Sequence, residues 1–304
     1  MHREAPTHRI SACVNLALVT GMLACALNAD AQENVGDITD SRTRDAAVEI
    51  QRKLATVQDY SCHAEFTQVM TVGKPGEEQR VELADRAEVQ FKRPNLGHRR
   101  SETRKHLYSW FEGQVTDTYF DGTYWWQFQQ PAADSGEKLA DFREMEAGFE
   151  RNLYIETHNK PKVFRYELQA FSDAGLNDQD RDRADILLRP FAECDMTSLR
   201  MEREDDDVWE FSARPRRVYP MRKEFTAVRL TIGRSDGVLR EAYFDGGEAQ
   251  NRSVLIIDVQ LNPGLEDSVF RFTPPEEIEA KDGTEMMVQS LLKQRDDWEK
   301  ANPR

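Results

Sequence analysis

The sequence predicts an α+β protein built on an antiparallel sheet, with helices at both ends of the chain and in its middle. Three observations carry that expectation. Apolar and polar residues alternate with period two in segments spread from Tyr60 to Leu261. Turn signals such as Asp121-Gly122 and Ser235-Asp236-Gly237 separate those segments at hairpin spacing. Helical spacing is confined to residues 40–57, 135–192 in part, and 284–300. A chain of 304 residues that is 39% hydrophobic can bury the core of one large β-rich domain or two small ones.

The elements follow in order. Arg3 and Arg9 precede an apolar run from Ile10 to Leu27, and Ala29-Asp30-Ala31 offers a small-x-small cleavage site. Residues 1–31 therefore read as a secretory signal peptide, too short and interrupted for a membrane span. A rival reading makes Cys25 of "MLAC" a lipidated N-terminus, although Met22 stands where the motif carries leucine. Asp40 or Ser41 caps a first helix whose Ala47, Ile50, Leu54 and Val57 share a face. "DYSCHAEFTQVM" then alternates, with Tyr60, Cys62, Ala64, Phe66 and Met70 to one side. A turn through Gly73 to Gly76 leads to a strand carrying Ala87, Val89 and Phe91, which ends at "KRPN". A polar stretch with Arg99, Arg100 and Arg104 connects it to "YFDGTYWWQFQQP", an aromatic hairpin. There Tyr124, Trp126 and Phe128 share one face and Trp125 and Gln127 the other. Those aromatics are either ordinary sheet core or the wall of an apolar cavity.

Leu139, Phe142, Met145, Phe149 and Leu153 then recur at helical spacing, and "RADILLRPF" reads as a second short helix. Asp178, Asp180 and Asp182 mimic a calcium loop, but Arg183 and Arg189 replace its glycine and glutamate, so a charged linker is expected. Four alternating segments follow between Val208 and Asn262, in which Val228, Leu230 and Ile232 share a face, as do Leu255, Ile257, Val259 and Leu261. "SVFRFTPPEEIE" reads as a last short strand, and residues 284–304 as a C-terminal helix.

Composition excludes some functions. A net charge of −14 disfavours nucleic acid and anionic membrane surfaces, both of which are bound through Lys and Arg. Behind the signal remain His63, His98, His106 and His158, without HExxH, GxSxG or a CxxC pair, so neither catalysis nor a metal or cofactor is expected. Cys62 and Cys194 also remain. In an oxidising compartment they are a disulfide candidate, the alternative being two buried thiols far apart.

Taken in order, "YSCHAEFTQ", "VQFKRPN", "YFDGTYWWQF", "EFTAVRLTIGRSDGVLREAYFDG" and "DSVFRFTPPE" resemble the periplasmic outer-membrane lipoprotein carriers, the LolA-like family. The resemblance implies an incomplete antiparallel β-barrel covered by helices, spanning residues 32–283 with a helical insert around 135–192. It also implies a periplasmic monomer that holds lipid or lipoprotein acyl chains between an inner-membrane donor and an outer-membrane acceptor. The cavity would be lined by Phe66, Phe91, Tyr124, Trp126, Phe128, Phe211 and Leu230. Arg100 would take the role of the arginine that holds the family's helical lid. The helical middle and the C-terminal helix exceed the family pattern. A lipid- or peptide-sensing module of the envelope, or a hydrolase acting on an envelope polymer, are the other functions compatible with the residues.

Overall fold

A computed structural model describes residues 35–72, 78–141, 160–176, 187–216, 225–247 and 250–301. The expected signal peptide, the turn at Gly73 to Gly76, most of the expected helical insert and the Asp178–Asp182 stretch lie outside the described residues.

Helix α1 (Ser41–Leu54) starts where Asp40 caps it, its carboxylate accepting from Thr43 N at 2.8 Å and Thr43 Oγ1 at 2.6 Å. A cap of this kind contributes about 1 kcal/mol. Its buried stripe of Ala46, Ala47, Ile50 and Leu54 lies against the sheet in one core cluster.

Among the described residues that sheet has twelve strands: β1 (Asp59–Val72), β2 (Gln79–Lys92), β3 (Leu96–Lys105), β4 (Val115–Phe120), β5 (Tyr124–Gln130), β6 (Lys162–Glu167), β7 (Arg200–Glu204), β8 (Val208–Ala213), β9 (Ala227–Gly233), β10 (Leu239–Asp245), β11 (Gln250–Leu261) and β12 (Ala280–Asp282). Their order is β12-β6-β5-β4-β3-β2-β1-β11-β10-β9-β8-β7. Two local meanders, β1 to β6 and β7 to β11, are thus joined through the long β1·β11 ladder. Of these strands only β12 runs parallel to its neighbour, pairing Ala280–Asp282 with Val163–Arg165. The sheet does not close on itself, because β7 and β12 remain as edges. With α1, α2 (Ser135–Asp141), α3 (Leu168–Asp173) and α4 (Thr284–Ala301), it is an incomplete antiparallel barrel covered by helices.

Several expectations change. The polar stretch after Pro94 is a full strand, β3, because its neighbours on both sides supply ladder partners. The segment after Asp267 is a short 3₁₀ turn, Asp267–Phe270, and the last strand comes ten residues later. On β11 the inward residues are Val254 and Ile256, whereas Leu255 is exposed. Asp258 at φ 53° forms a bulge with Val259 opposite Cys62, between the Ser61–Gln260 and His63–Ile257 pairs, and it returns Val259 and Leu261 to the core side. Reading one uninterrupted alternation through that bulge therefore misplaces Leu255 and Ile257.

Candidate functional site

The face of the sheet is fixed by the ladders, strand by strand. Tyr60 of β1 pairs with Phe91, Phe91 with Gly97, Gly97 with Phe120, Phe120 with Trp125, and Trp125 with Tyr166. This row crosses six strands on the inner, core-facing side. Its rings touch in sequence: Tyr60–Phe91 centroids lie 5.5 Å apart, Phe120–Trp125 5.9 Å and Trp125–Tyr166 4.6 Å. Gly97 leaves the space between Phe91 and Phe120 free of a side chain, which suits a crowded aromatic row.

Two residues along the strands, the inner face changes character. The next row is Cys62, Val89, Arg99, Thr118, Gln127 and Phe164, and the one after it Ala64, Ala87, Ser101, Thr116, Gln129 and Lys162. On β3 to β5 the aromatic band therefore gives way to the polar side chains of Arg99, Thr118 and Gln127, while the row stays apolar at both ends. The Arg99 guanidinium lies 4.8 Å from the Phe66 ring centroid. Burial raises the pKa of Asp85 nearby, opposed by the charge of Arg99 and a hydrogen bond with Thr103. Burial also lowers the pKa of Lys162, and the neighbouring Lys281 lowers it further. Thr118 and Gln127 are 6% and 4% exposed.

Two apolar clusters meet on this face. One includes α1, β1 and β8 to β11; the other joins Tyr166, Phe171 and Leu176 to Met287, Val288 and Leu291 of α4. Trp125 packs against both clusters while staying only partly buried, and Phe164 packs partly buried against the second. These two partly buried rings mark the seam beside the second cluster.

The outer face carries the remaining hairpin aromatics. Tyr124, Trp126 and Phe128 point away from the core, opposite to the expected cavity wall, because Trp125 takes the inward place across from Phe120. Phe272 covers them, its ring centroid 5.0 Å from Tyr119, 5.8 Å from Trp126 and 5.9 Å from Phe128. Asp121 organises the turn, accepting from Thr123 N, Tyr124 N and Trp126 Nε1 at 2.9, 2.7 and 3.1 Å. Gly122 adopts φ 90° there, so the tight turn is centred on Gly122-Thr123, one residue later than the sequence suggests.

Arg100 is also on this outer face. It bonds the buried Asp117 at 3.1 Å, and His98 stacks on Tyr119 with Nε2 3.5 Å from the same carboxylate. Arg100 thus cannot reach a guest on the inner face, where its neighbour Arg99 lies over Phe66 and interacts with the buried Asp85. Of the other expected lining residues, Phe66, Phe91, Phe211 and Leu230 do face inward, but as sealed core in one cluster with α1. Sequence reasoning missed Arg99, Thr118, Trp125 and Gln127. Inward-pointing Phe120, tied to Trp125 by the hairpin, was the available signal.

No disulfide joins Cys62 and Cys194; both are buried thiols. Cys62 lies on β1, while Cys194 bridges Pro215 just past β8, four strands away in the sheet. Burial pushes the Cys62 thiol pKa up to about 12. Among the described residues no group of three His, Cys, Asp or Glu side chains is placed to hold a metal, and no helix is long and apolar enough to cross a membrane.

The architecture defines the class: an open antiparallel sheet whose inner face is partly covered by helices. No family model matches the sequence, and no curated protein does. Among solved structures the chain is similar to an uncharacterized conserved protein from Thermus thermophilus, at 12% identity and TM-score 0.40, covering 78% of this chain and 99% of that one. It is also similar to a DUF1329 family protein from Desulfovibrio piger, at 12% identity and TM-score 0.31 over 76% of this chain and 96% of that one. A third similar structure is a putative outer membrane lipoprotein-sorting protein domain from Vibrio parahaemolyticus, at 7% identity and TM-score 0.28 over 75% and 95%.

Proposed function

We propose that the chain is an exported carrier that holds lipid or lipoprotein acyl chains on the inner face of its open sheet, binding them without transforming them. The observation that carries this reading is the seam at Trp125 and Phe164, apolar surface that neither hydrophobic cluster covers completely. An acyl chain laid along it gains about 0.8 kcal/mol for each methylene removed from water, so many weak contacts supply affinity without any reactive group. The charged start, apolar run and Ala-Asp-Ala site support export. In this reading Arg99, not Arg100, is the inward cation, and handover runs from an inner-membrane donor to an outer-membrane acceptor.

Trp125 and Trp126 are adjacent and face opposite ways, which makes them a matched test. Trp125→Ala should reduce uptake of a neutral fluorescent long-chain alcohol at least tenfold while the protein keeps a cooperative melt. Trp126→Ala should change uptake less than twofold. Equal uptake by Trp125→Ala and wild type would remove the seam as a binding surface.

A further inference from the structure

We infer that the indole N–H of Trp125 is the donor that recognises the carbonyl of a neutral acyl ester, so that the cargo is held by its linkage as well as by its chain. The inference rests on the carrier reading above and specifies its ligand. Trp125 Nε1 is buried and has no hydrogen-bond partner among the described residues. Its neighbour Trp126, on the outer face, donates the same group to Asp121 Oδ2 at 3.1 Å. Trp209 likewise donates to Glu204 Oε1 at 3.4 Å. His63 Nδ1 and His98 Nε2 also lack a hydrogen bond among the described residues, but each lies 3.5 Å from a carboxylate oxygen, of Asp258 and Asp117 respectively. Around Trp125 stand rings instead, with Tyr166 at 4.6 Å, Phe120 at 5.9 Å and Phe171 at 6.4 Å between centroids. A ring face accepts only weakly, and folded proteins leave few buried donors without a partner. Trp125 is also the side chain that packs against both apolar clusters while staying partly buried, so the unpartnered donor belongs to the seam itself. A chain entering the seam parts the clusters at this ring and brings its carbonyl to the donor. An ester carbonyl suits the place because it accepts without carrying a donor of its own, whereas a hydroxyl would need a further acceptor among the rings.

The test sets methyl palmitate against heptadecane, which has no acceptor, as competitors of the neutral fluorescent long-chain alcohol on the full mature chain. Trp125→Phe keeps a ring and removes only the donor side of the indole. It should lower the affinity for methyl palmitate at least threefold relative to that for heptadecane, the loss expected for one neutral hydrogen bond. Trp126→Phe, on the outer face, should leave that ratio unchanged. In the wild-type chain the Trp125 indole N–H resonance should move downfield when methyl palmitate is added, and not when heptadecane is added, a readout that needs no variant to fold. A ratio unaltered by Trp125→Phe, or a resonance that responds alike to both compounds, would overturn the ester contact and leave the carrier reading standing. Failure of the alcohol, the ester and the alkane alike to bind would overturn the carrier reading itself.

Discussion

Asp117 shows how much one residue's direction decides. Its carboxylate is 5% exposed on the outer face, held between Arg100 at 3.1 Å and His98 at 3.5 Å. The Arg100 side chain is half exposed, so losing it leaves Asp117 with His98 and with nearby water, whereas losing Asp117 strands a histidine stacked on Tyr119. Asp117→Ala should therefore destabilise the protein by about 2–3 kcal/mol, and Arg100→Ala by about 1 kcal/mol. Urea unfolding of the two variants measures both; a larger loss from Arg100→Ala would show that the cation, and not the carboxylate, anchors the cluster. The residue scale is also where the sequence was hardest to read. Arg99 and Arg100 are equivalent in any single-sequence pattern, and only the pairing of Val89 with Arg99 and Gln90 with His98 assigns one inward and the other outward. The same holds for Trp125 and Trp126, where alternation separated the two faces correctly and left the choice of inner face open.

At the scale of elements, the join between β12 and α4 is made by one carboxylate. Asp282 accepts from Thr284 N at 3.0 Å and from Arg165 Nη2 at 2.9 Å. Hydrogen bonds with Thr284 and Arg165 depress its pKa from 3.8 to about 2. A depressed pKa means that the stabilisation is complete above about pH 4 and is lost as pH falls through 2. Asp282→Asn should accordingly start less stable at pH 7 and lose less between pH 4 and pH 2 than wild type. Urea midpoints at the two ends of that window read the difference; parallel losses would show that Asp282 does not couple acid to this join. Beside it, a Cβ on Gly283 would come within 2.6 Å of Tyr166 Cε1, so the absence of a side chain there lets α4 settle on the end of the aromatic row. Elements with strong local signals were legible: α1 with its Asp40 cap, β1, β2, the hairpin strands, β8 to β11 and α4. β3, β6, β7 and β12 were not, because charged or very short strands gain their order from ladder partners that period-two patterning does not reveal.

For the whole molecule, the incomplete barrel was legible through the order of its pieces, while the site was not, since it depends on which strand faces meet across six ladders. The long β1·β11 ladder has a kinetic counterpart. It pairs Phe66 with Val254, whereas β2 to β6 and β7 to β10 pair mostly with close sequence neighbours. Closing so large a loop carries an entropic cost that local hairpins avoid, so the ladder should form after the transition state. Val254→Ala, which removes a buried side chain at a cost of about 1–3 kcal/mol, should therefore speed unfolding about tenfold or more and barely slow folding. Stopped-flow chevrons decide the point; a folding rate that falls by as much as stability would place the ladder in the nucleus.

On the export reading proposed above, the chain crosses its membrane amino end first. The β1 edge that will receive β11 is then delivered long before residue 250 arrives, and its backbone donors and acceptors stand ready for any passing strand. On that edge the outward positions are His63, Glu65 and Thr67, charged or polar side chains that discourage association between half-delivered copies. The strand that finally unites the two meanders thus also sets a waiting period, during which the molecule's solubility depends on the three side chains of an edge that is still unpaired.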